Sequence, residues 1–506
     1  MMSPVFEKKK LPAWPGQSPK SRVGEAISAG RNRPSTPSPA FRKGAPGSED
    51  LSYDTRTDVM GRDPIGSLLF RFSMPAIVGL LSNALYNIVD RMFIGRIVGS
   101  NGLAAVTVAF PYFGLAITAG ILITVGSSSI VSRNLGRGDR DGAEEVLANA
   151  FLMALAGGVL LLWAGFCCGN PMLRLFGASD LVIGSALDYL RIVALGMPFL
   201  VMTFSMNGLM RAEGAPRWAM GTMLIGTLTN IFLDWLFIAV LGWGVRGAAW
   251  GTTLAQAAAL GWVILFYLRH SSLKIRRNLI RPRLKIILPA LAIGISPGLL
   301  EVSFVTLLVI INRIMGRLGG DLAISAVGIF FSLDSLFYLP ALGIGEGAQP
   351  LVGFNYGAGK MERVRGIVKL AILAAAGIFT LFWVIVQAFP VLLVNLFSRG
   401  DMELGAIAAR GLRLGYLLLP LMSLYIVTSY TFQALGRARA TFILQVLRQI
   451  VFCFPMLLIL PHFLGTDGVW LAFPLMDLSG FLLALTMLRS EMRKWEARET
   501  AEKTPG

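Results

Sequence analysis

Long apolar segments follow one another from about residue 66 to residue 489, separated by short polar connections. Each segment is long enough to cross a hydrocarbon core ~30 Å thick as a helix, and none alternates between polar and apolar positions as a barrel strand would. The pattern predicts an all-α membrane protein. Its twelve transmembrane helices are expected at residues 66–97, 102–132, 143–168, 183–210, 216–241, 246–268, 284–317, 323–353, 364–394, 404–434, 438–462 and 468–489.

The segments repeat along the chain with a shift of 221 to 222 residues, so that residues 134–138 align with 355–359 and Gly214 aligns with Gly436. Because each copy holds six helices, an even number, both copies enter the membrane in the same direction. Transporters with such repeats have an axis of pseudo-symmetry along the membrane normal. We therefore predict two pseudo-symmetric six-helix lobes, residues 63–268 and 286–489, around a central cavity and joined by the basic segment 269–285.

The distribution of charge sets the expected orientation. The net charge is +17, but the Lys and Arg residues cluster in every second loop, as in the positive-inside pattern. This pattern argues against nucleic-acid binding and places both termini in the cytoplasm. With 55% hydrophobic and 15% charged residues, the chain is expected to be a multi-pass monomer in the lipid of the cytoplasmic (inner) membrane.

The two ends of the chain differ from the apolar region between them. Residues 1–62 are rich in Pro, Ser, Lys and Arg, which predicts a disordered basic tail in the cytoplasm. The alternative is that translation starts at Met60, just before the first predicted helix. Residues 490–506 are expected to form a second polar cytoplasmic tail.

Ionisable residues inside membrane helices are costly, and they are therefore candidates for function. Asp90, Asp234 and Thr252 lie at similar depths below the outer surface, and Asn230 is one helical turn from Asp234. Such oxygen groups suit a hard cation such as Na⁺, and two neighbouring carboxylates could instead share a proton. The four residues form a candidate cation site.

An ion pair between Asp90 and Arg91 or Arg96 is the alternative for the first of these residues. The second lobe does not repeat the site, because Asn312 matches Asp90 and Met456 matches Asp234. The cation site is therefore predicted in the first lobe alone.

Other polar residues are candidates for the wall of the substrate cavity. Glu301 stands alone in the apolar middle of the seventh helix, and Asp477 matches Gln256 across the repeat. For each acid, a structural ion pair with a residue such as Arg313 or Arg448 is the alternative. The cavity candidates are Glu301, Gln256, Asp334 and Asp477.

The sequence gives no sign of enzymatic chemistry. Its three cysteines and two histidines make no disulfide, metal or nucleophile–base arrangement. The glycine-rich residues 343–347 lie inside a predicted membrane helix, which favours helix packing over a phosphate loop. We expect no catalytic residue and no cofactor apart from a coupling ion.

Three segments resemble transporters of the multidrug and toxic compound extrusion (MATE) family. They are ALYNIVDRMFIG at residues 84–95, GGDLAISAVGI at 319–329 and QPLVGFNYGAGKMERV at 349–364. The resemblance extends over residues 64–489. It implies a two-lobe antiporter that expels organic cations in exchange for H⁺ or Na⁺. A lipid-linked oligosaccharide flippase of the same broad superfamily is the alternative function, although its pyrophosphate substrate would favour a cationic cavity.

The resemblance also implies roles for individual residues. The cation site of the family carries over to Asp90, Asn230, Asp234 and Thr252, and its bending proline in the first helix falls on Pro75. Glu301 is similar to a seventh-helix glutamate in one branch of the family. An aspartate that some members carry on the tenth helix has no match within residues 404–434. The resemblance therefore assigns ion coupling to the first lobe.

Overall fold

The structure is a computed structural model that describes residues 54–276, 279–398 and 402–503. Its α-helices are α1 (Asp54–Arg62), α2 (Ile65–Phe93), α3 (Ser100–Gly136), α4 (Arg140–Leu175), α5 (Ile183–Ala212), α6 (Pro216–Asp234), α7 (Gly244–Arg269), α8 (Leu284–Gly357), α9 (Met361–Ala388), α10 (Pro390–Ser398), α11 (Met402–Gly415), α12 (Met422–Ala434), α13 (Ala438–Val446), α14 (Phe454–Leu464) and α15 (Thr466–Lys503). Shorter elements are π-helical segments at Ile94–Val98, Trp235–Val240 and Leu447–Cys453 and a 3₁₀ turn at Leu419–Leu421.

All twelve predicted spans fall on these helices. Ten helices in the described part of the chain are long and apolar enough to cross a membrane, and α11 and α12 form a further span bent by 43°. The seventh and eighth predicted spans are joined in α8, whose 74 residues would reach ~110 Å if straight. Gly320 divides them, because its backbone (φ 62°, ψ −156°) has a conformation that glycine alone adopts readily.

The structure corrects the end of the predicted N-terminal tail. Residues 1–53 lie outside the described residues, but Asp54–Arg62 forms helix α1 and Met60 is fully buried. The main-chain oxygen of Met60 accepts a hydrogen bond from Asn355 (3.0 Å), and that of Gly61 accepts one from Lys360 (3.0 Å). Polar composition suggested disorder here, whereas these contacts with the second lobe stabilise a helix.

The predicted C-terminal tail is also ordered beyond residue 490. Helix α15 continues to Lys503, and Trp495 is buried in the core of the second lobe. Glu496 pairs with Arg365 at 3.3 Å. The polar surface of this segment is therefore one face of a helix whose other face packs against the lobe.

Each lobe has its own hydrophobic core. One core contains residues between Ile94 and Leu273, and the other contains residues from Leu307 to Trp495 together with Met60 and the first turns of α2. The lobes meet along α8, which packs against α3 and α2. The basic linker lies on the first lobe, since Lys274 N donates to Glu144 (3.2 Å) and Arg283 N donates to Asn149 (2.8 Å).

Glycines allow the lobes to approach closely along α8. A Cβ on Gly126 would overlap the carbonyl oxygen of Ala290, and one on Gly294 would overlap that of Leu122. A Cβ on Gly343 would lie 2.8 Å from the backbone nitrogen of Ile77. Residues 343–347 are therefore a packing surface, as expected from their position inside a membrane helix.

Candidate cation site and central cavity

The structure brings the four predicted cation-site residues together inside the first lobe. Asp90 lies in the last turn of α2, Asn230 and Asp234 lie at the end of α6, and Thr252 lies on α7. They are 7%, 1%, 0% and 2% exposed, respectively. Asn230 Nδ2 is 3.5 Å from the hydroxyl of Thr252, so α6 and α7 are in polar contact at this level.

The two carboxyl groups lie close enough to interact directly. Apart from Asp90, no described residue donates a hydrogen bond to either oxygen of Asp234, and Asn230 Oδ1 likewise accepts none. Two ionised carboxylates cannot hydrogen-bond to each other. The fully buried Asp234 therefore requires a proton or a cation to compensate its charge.

Two further residues belong to the site. Tyr189, on α5, is 2% exposed and lies near Thr252 and both carboxylates. Gly251 packs against Asp234, since an added Cβ would overlap Oδ1. Sequence reasoning missed both, because a tyrosine and a glycine in apolar helices resemble ordinary packing residues. The signal available for Tyr189 is that a buried phenol requires a polar partner.

π-Helical segments adjoin the charged groups inside the membrane. Ile94–Val98 begins four residues after Asp90, Trp235–Val240 directly follows Asp234, and Leu447–Cys453 contains Arg448. Such segments occur frequently at functional sites, because they change the direction in which helical side chains point.

The structure describes the side chain of one of the two arginines proposed as alternative partners of Asp90. The side chain of Arg91 is not among those that the structure describes. Arg96 is exposed and forms no ion pair with the described acids. Asp90 lies beside Asp234.

A cavity of about 610 Å³ lies between the lobes. Its wall contains all four predicted cavity residues, Gln256, Glu301, Asp334 and Asp477. Asn230 and Thr252 also reach the wall, whereas Asp90 and Asp234 lie behind it. The cation site is therefore separated from the cavity by two of its own residues.

The acids of the cavity wall differ in what they contact. Asp477 pairs with Arg448 at 3.0 Å, which is the structural alternative foreseen for it, and Asp334 accepts a hydrogen bond from Tyr416 (3.2 Å). Glu301 is exposed to the cavity and makes no hydrogen bond or ion pair with the described residues. It is the acidic group of the cavity that is available to a ligand.

The rest of the cavity wall is largely apolar. The rings of Phe304 and Phe331 meet edge to face at 5.7 Å, and those of Phe330 and Phe473 lie 5.0 Å apart. Methionines add flexible surface at Met223, Met422 and Met476. Aromatic faces and thioethers accommodate apolar and cationic groups of different shapes.

Pro75 is buried inside α2, on the same helix as Asp90. The residues on either side of it contact the other lobe, because Ser73 packs against Gly347 and Ile77 packs against Gly343. A bend at Pro75 would therefore move Asp90 relative to this contact between the lobes.

Comparison with known proteins identifies the family. A model of the MatE family matches residues 75–236 and again residues 298–459. The chain belongs to the MATE family. The double match confirms the internal repeat found in the sequence. A MATE protein is a multi-pass membrane transporter and not an enzyme.

The relatives of this MATE transporter include proteins named Multidrug export protein MepA. That of Staphylococcus aureus (strain bovine RF122 / ET3-1) is 26% identical over 409 residues, covering 81% of this chain and 90% of its own. That of Staphylococcus saprophyticus is 27% identical over 402 residues, covering 79% and 88%. Both of these relatives are named for multidrug export.

Solved structures confirm the all-helical MATE fold. One, described as an outward-facing conformation of a multidrug resistance MATE family transporter of the MOP superfamily, has a TM-score of 0.82 and 25% identity, covering 88% of this chain and 99% of its own. MATE structures described as a bent and a straight conformation match with the same scores and coverage.

Proposed function

We propose that this MATE transporter expels organic cations in exchange for inward H⁺ or Na⁺ by alternating access. The lobes at residues 63–268 and 286–489 would open in turn to the two sides of the cytoplasmic membrane, with the linker 269–285 and both termini in the cytoplasm and the protein acting as a monomer. The supporting observation is the fully buried Asp234, whose two carboxylate oxygens accept no hydrogen bond from any described residue other than Asp90.

The coupling ion is assigned to the first lobe. A cation between Asp90 and Asp234 would find the amide oxygen of Asn230 and the hydroxyl of Thr252 within the same buried cluster. This oxygen-only set suits Na⁺, and the paired carboxylates suit a shared proton. Either ion would neutralise charge that is costly in the membrane interior. Ion binding would therefore favour one arrangement of the lobes, and the ion gradient would drive the exchange.

The ion site and the substrate cavity share two residues, and through them ion binding and substrate binding would affect each other. Asn230 and Thr252 belong to the ion site and also line the cavity, so binding at one place changes the other. We assign the hinge of this response to Pro75, which lies on α2 within the contact with α8 and on the same helix as Asp90.

The substrate class follows from the cavity. Glu301 offers an unpaired carboxylate beside aromatic rings, an arrangement that attracts amphipathic cations. The cavity gives no support to an anionic substrate such as a lipid pyrophosphate. Its two arginines are already paired, Arg211 with Glu346 and Arg448 with Asp477.

The test is drug transport in proteoliposomes, driven by a pH gradient or a Na⁺ gradient applied separately. We expect one gradient to drive uptake of a fluorescent organic cation, and Asp90→Asn and Asp234→Asn to abolish the response. Asp188→Asn, which alters an exposed acid paired with Arg246, is the matched control and should transport as the wild type. Gradient-driven transport that persists in both site variants would contradict the coupling assignment.

A further inference from the structure

We propose that the Arg211–Glu346 ion pair is a gate that holds the lobes together on the side of the basic loops and breaks whenever the cavity opens to that side. Nη2 of Arg211 lies 3.4 Å from Oε2 of Glu346. Arg211 belongs to the last turn of α5 in the first lobe, and Glu346 belongs to α8 in the second. Both line the cavity, so the pair forms part of the cavity wall on the side of the basic loops.

The pair is positioned by neighbouring groups. Arg211 Nη1 donates to Asn207 Oδ1 (2.5 Å), and Asn207 Nδ2 in turn donates to the carbonyl oxygen of Ala219 (2.7 Å). The side chains of Arg211 and Glu346 are only 12% and 19% exposed. At this burial an ion pair is poorly screened, and separating its partners leaves two charges to be solvated.

At the position of the first lobe that matches Glu346, other contacts join the two lobes. Val125 of α3 corresponds to Glu346, and α3 uses other side chains to hold α12. Ser129 Oγ donates to the carbonyl oxygens of Gln433 (2.5 Å) and Ala434 (3.1 Å), the last residues of α12. One turn further along α3, the guanidinium of Arg133 lies against Gly436. A cation is favourable there, because the end of a helix carries partial negative charge.

Close backbone contacts also join the lobes on the side of the basic loops. A Cβ on Gly136 would overlap the carbonyl oxygen of Phe354, and a Cβ on Gly357 would overlap that of Arg133. These contacts join the ends of α3 and α8 that lead into basic loops. They depend on shape, whereas the Arg211–Glu346 pair depends on charge. A charge substitution in the pair can therefore change the energy of the closed side without altering these backbone contacts.

The gate can be tested through the side from which the cavity is accessible. In a chain whose three native cysteines are replaced by alanine, a single cysteine at Ser128, which lines the cavity, is labelled with a membrane-impermeant thiol reagent. Labelling in inside-out vesicles is divided by labelling in right-side-out vesicles. We expect Glu346→Gln and Arg211→Gln to raise this ratio roughly ten-fold or more.

Two further variants separate a gate from a general loss of packing. The exchange of both charges, Arg211→Glu with Glu346→Arg, should return the ratio toward the wild-type value. Arg211→Lys keeps the charge and should retain most of the closed state even if a neutral variant is too unstable to label. Arg246→Gln, which removes an ion pair within the first lobe, is the matched control and should leave the ratio unchanged.

The gate rests on the proposed alternating access, and the same measurement distinguishes the two. A wild type whose ratio changes with drug or ion gradient, together with Arg211 and Glu346 variants that label as the wild type does, would overturn the gate alone. A wild-type ratio that responds to neither would overturn alternating access itself.

Discussion

Asp90, in the last turn of α2, lies beside Asp234, the last residue of α6, and apart from Asp90 no described residue donates a hydrogen bond to Asp234. Most buried acids in proteins are paired or hydrogen-bonded. A buried acid such as Asp234, whose oxygens meet no described donor other than Asp90, is stable only when it binds a proton or a cation. The energetic cost of this arrangement is what makes the pair suitable for binding and releasing a coupling ion.

Gly251→Ala should impair ion coupling without changing any charge. The added methyl group would overlap Asp234 Oδ1 and displace the carboxylate from Asp90. We expect the initial rate of gradient-driven drug transport to fall on the order of ten-fold, because a crowded site cannot relax without moving its neighbours. Gly261→Ala on the same helix is the control, since its Cβ would meet nothing within 4 Å, and it should transport normally. Equal rates in the two variants would contradict the described packing.

Tyr189→Phe should weaken binding of the coupling ion while leaving the ring in place. The hydroxyl that lies near Thr252 and both carboxylates would be lost, and with it a polar neighbour of the ion site. We expect the ion concentration for half-maximal transport to rise roughly two- to ten-fold, because one polar interaction is worth about 0.5–1.5 kcal/mol. Tyr112→Phe removes a hydroxyl that donates to Leu161 O (2.6 Å) and should lower only thermal stability. If both variants show the same ion dependence, Tyr189 has no part in the ion site.

Glu301→Gln should affect drug binding more than ion coupling. Removing the available negative charge of the cavity should raise the KM for cationic drugs roughly ten-fold and have little effect on uncharged ones, since apolar contacts remain. Transport of paired cationic and neutral fluorescent substrates measures the difference. A similar rise in KM for both would show that Glu301 supports the cavity wall without attracting charge.

Asp477→Asn provides the contrast for that experiment. This substitution would leave the buried guanidinium of Arg448 without its carboxylate, although Arg448 also lies over the Tyr425 ring at 4.3 Å. We expect a loss of about 3 kcal/mol or more in stability, because breaking a buried pair leaves an uncompensated charge. Thermal unfolding in detergent should detect it as a lower Tm than that of Glu301→Gln. An unchanged Tm would show that water reaches Arg448.

Glu213 should make the docking of the linker depend on pH. Burial raises the pKa of this carboxyl to about 7, although Ser271 Oγ (2.8 Å) and Ser272 N (3.0 Å) donate to it and partly oppose the shift. The pKa of this carboxyl is 4.5 in the unfolded chain and about 7 in the folded protein. It therefore stabilises the fold fully below pH 4.5, and this contribution is lost as the pH rises to about 7. Tm should therefore fall from pH 5 to pH 8.

The control for this titration is Glu213→Gln, which keeps a hydrogen-bond acceptor but carries no proton to lose. Its Tm should change less with pH over the same interval. Glu145→Gln, at a half-buried acid paired with Arg283, should retain the pH dependence of the wild type. A parallel decline of Tm in wild type and Glu213→Gln would assign the effect to other groups.

The sequence alone determined the helices, the repeat and the identity of the candidate polar residues. The length of an apolar run and the cost of a charge within it are local properties, and Asp90, Asp234 and Glu301 stand out for that reason. The comparison of the two copies likewise required no coordinates, because Asn312 and Met456 at the matching positions show that the second lobe lacks the carboxylate pair.

Only the tertiary structure decided which groups meet. These helices are apolar on most sides, so the sequence does not fix their rotation about their own axes or the partners they face. The contact of Tyr189 with Thr252, the pairs Arg211–Glu346 and Arg448–Asp477, and the docking of α1 on the second lobe all join residues from different helices. Their geometry depends on how whole helices pack, and a local pattern of residues does not determine that packing.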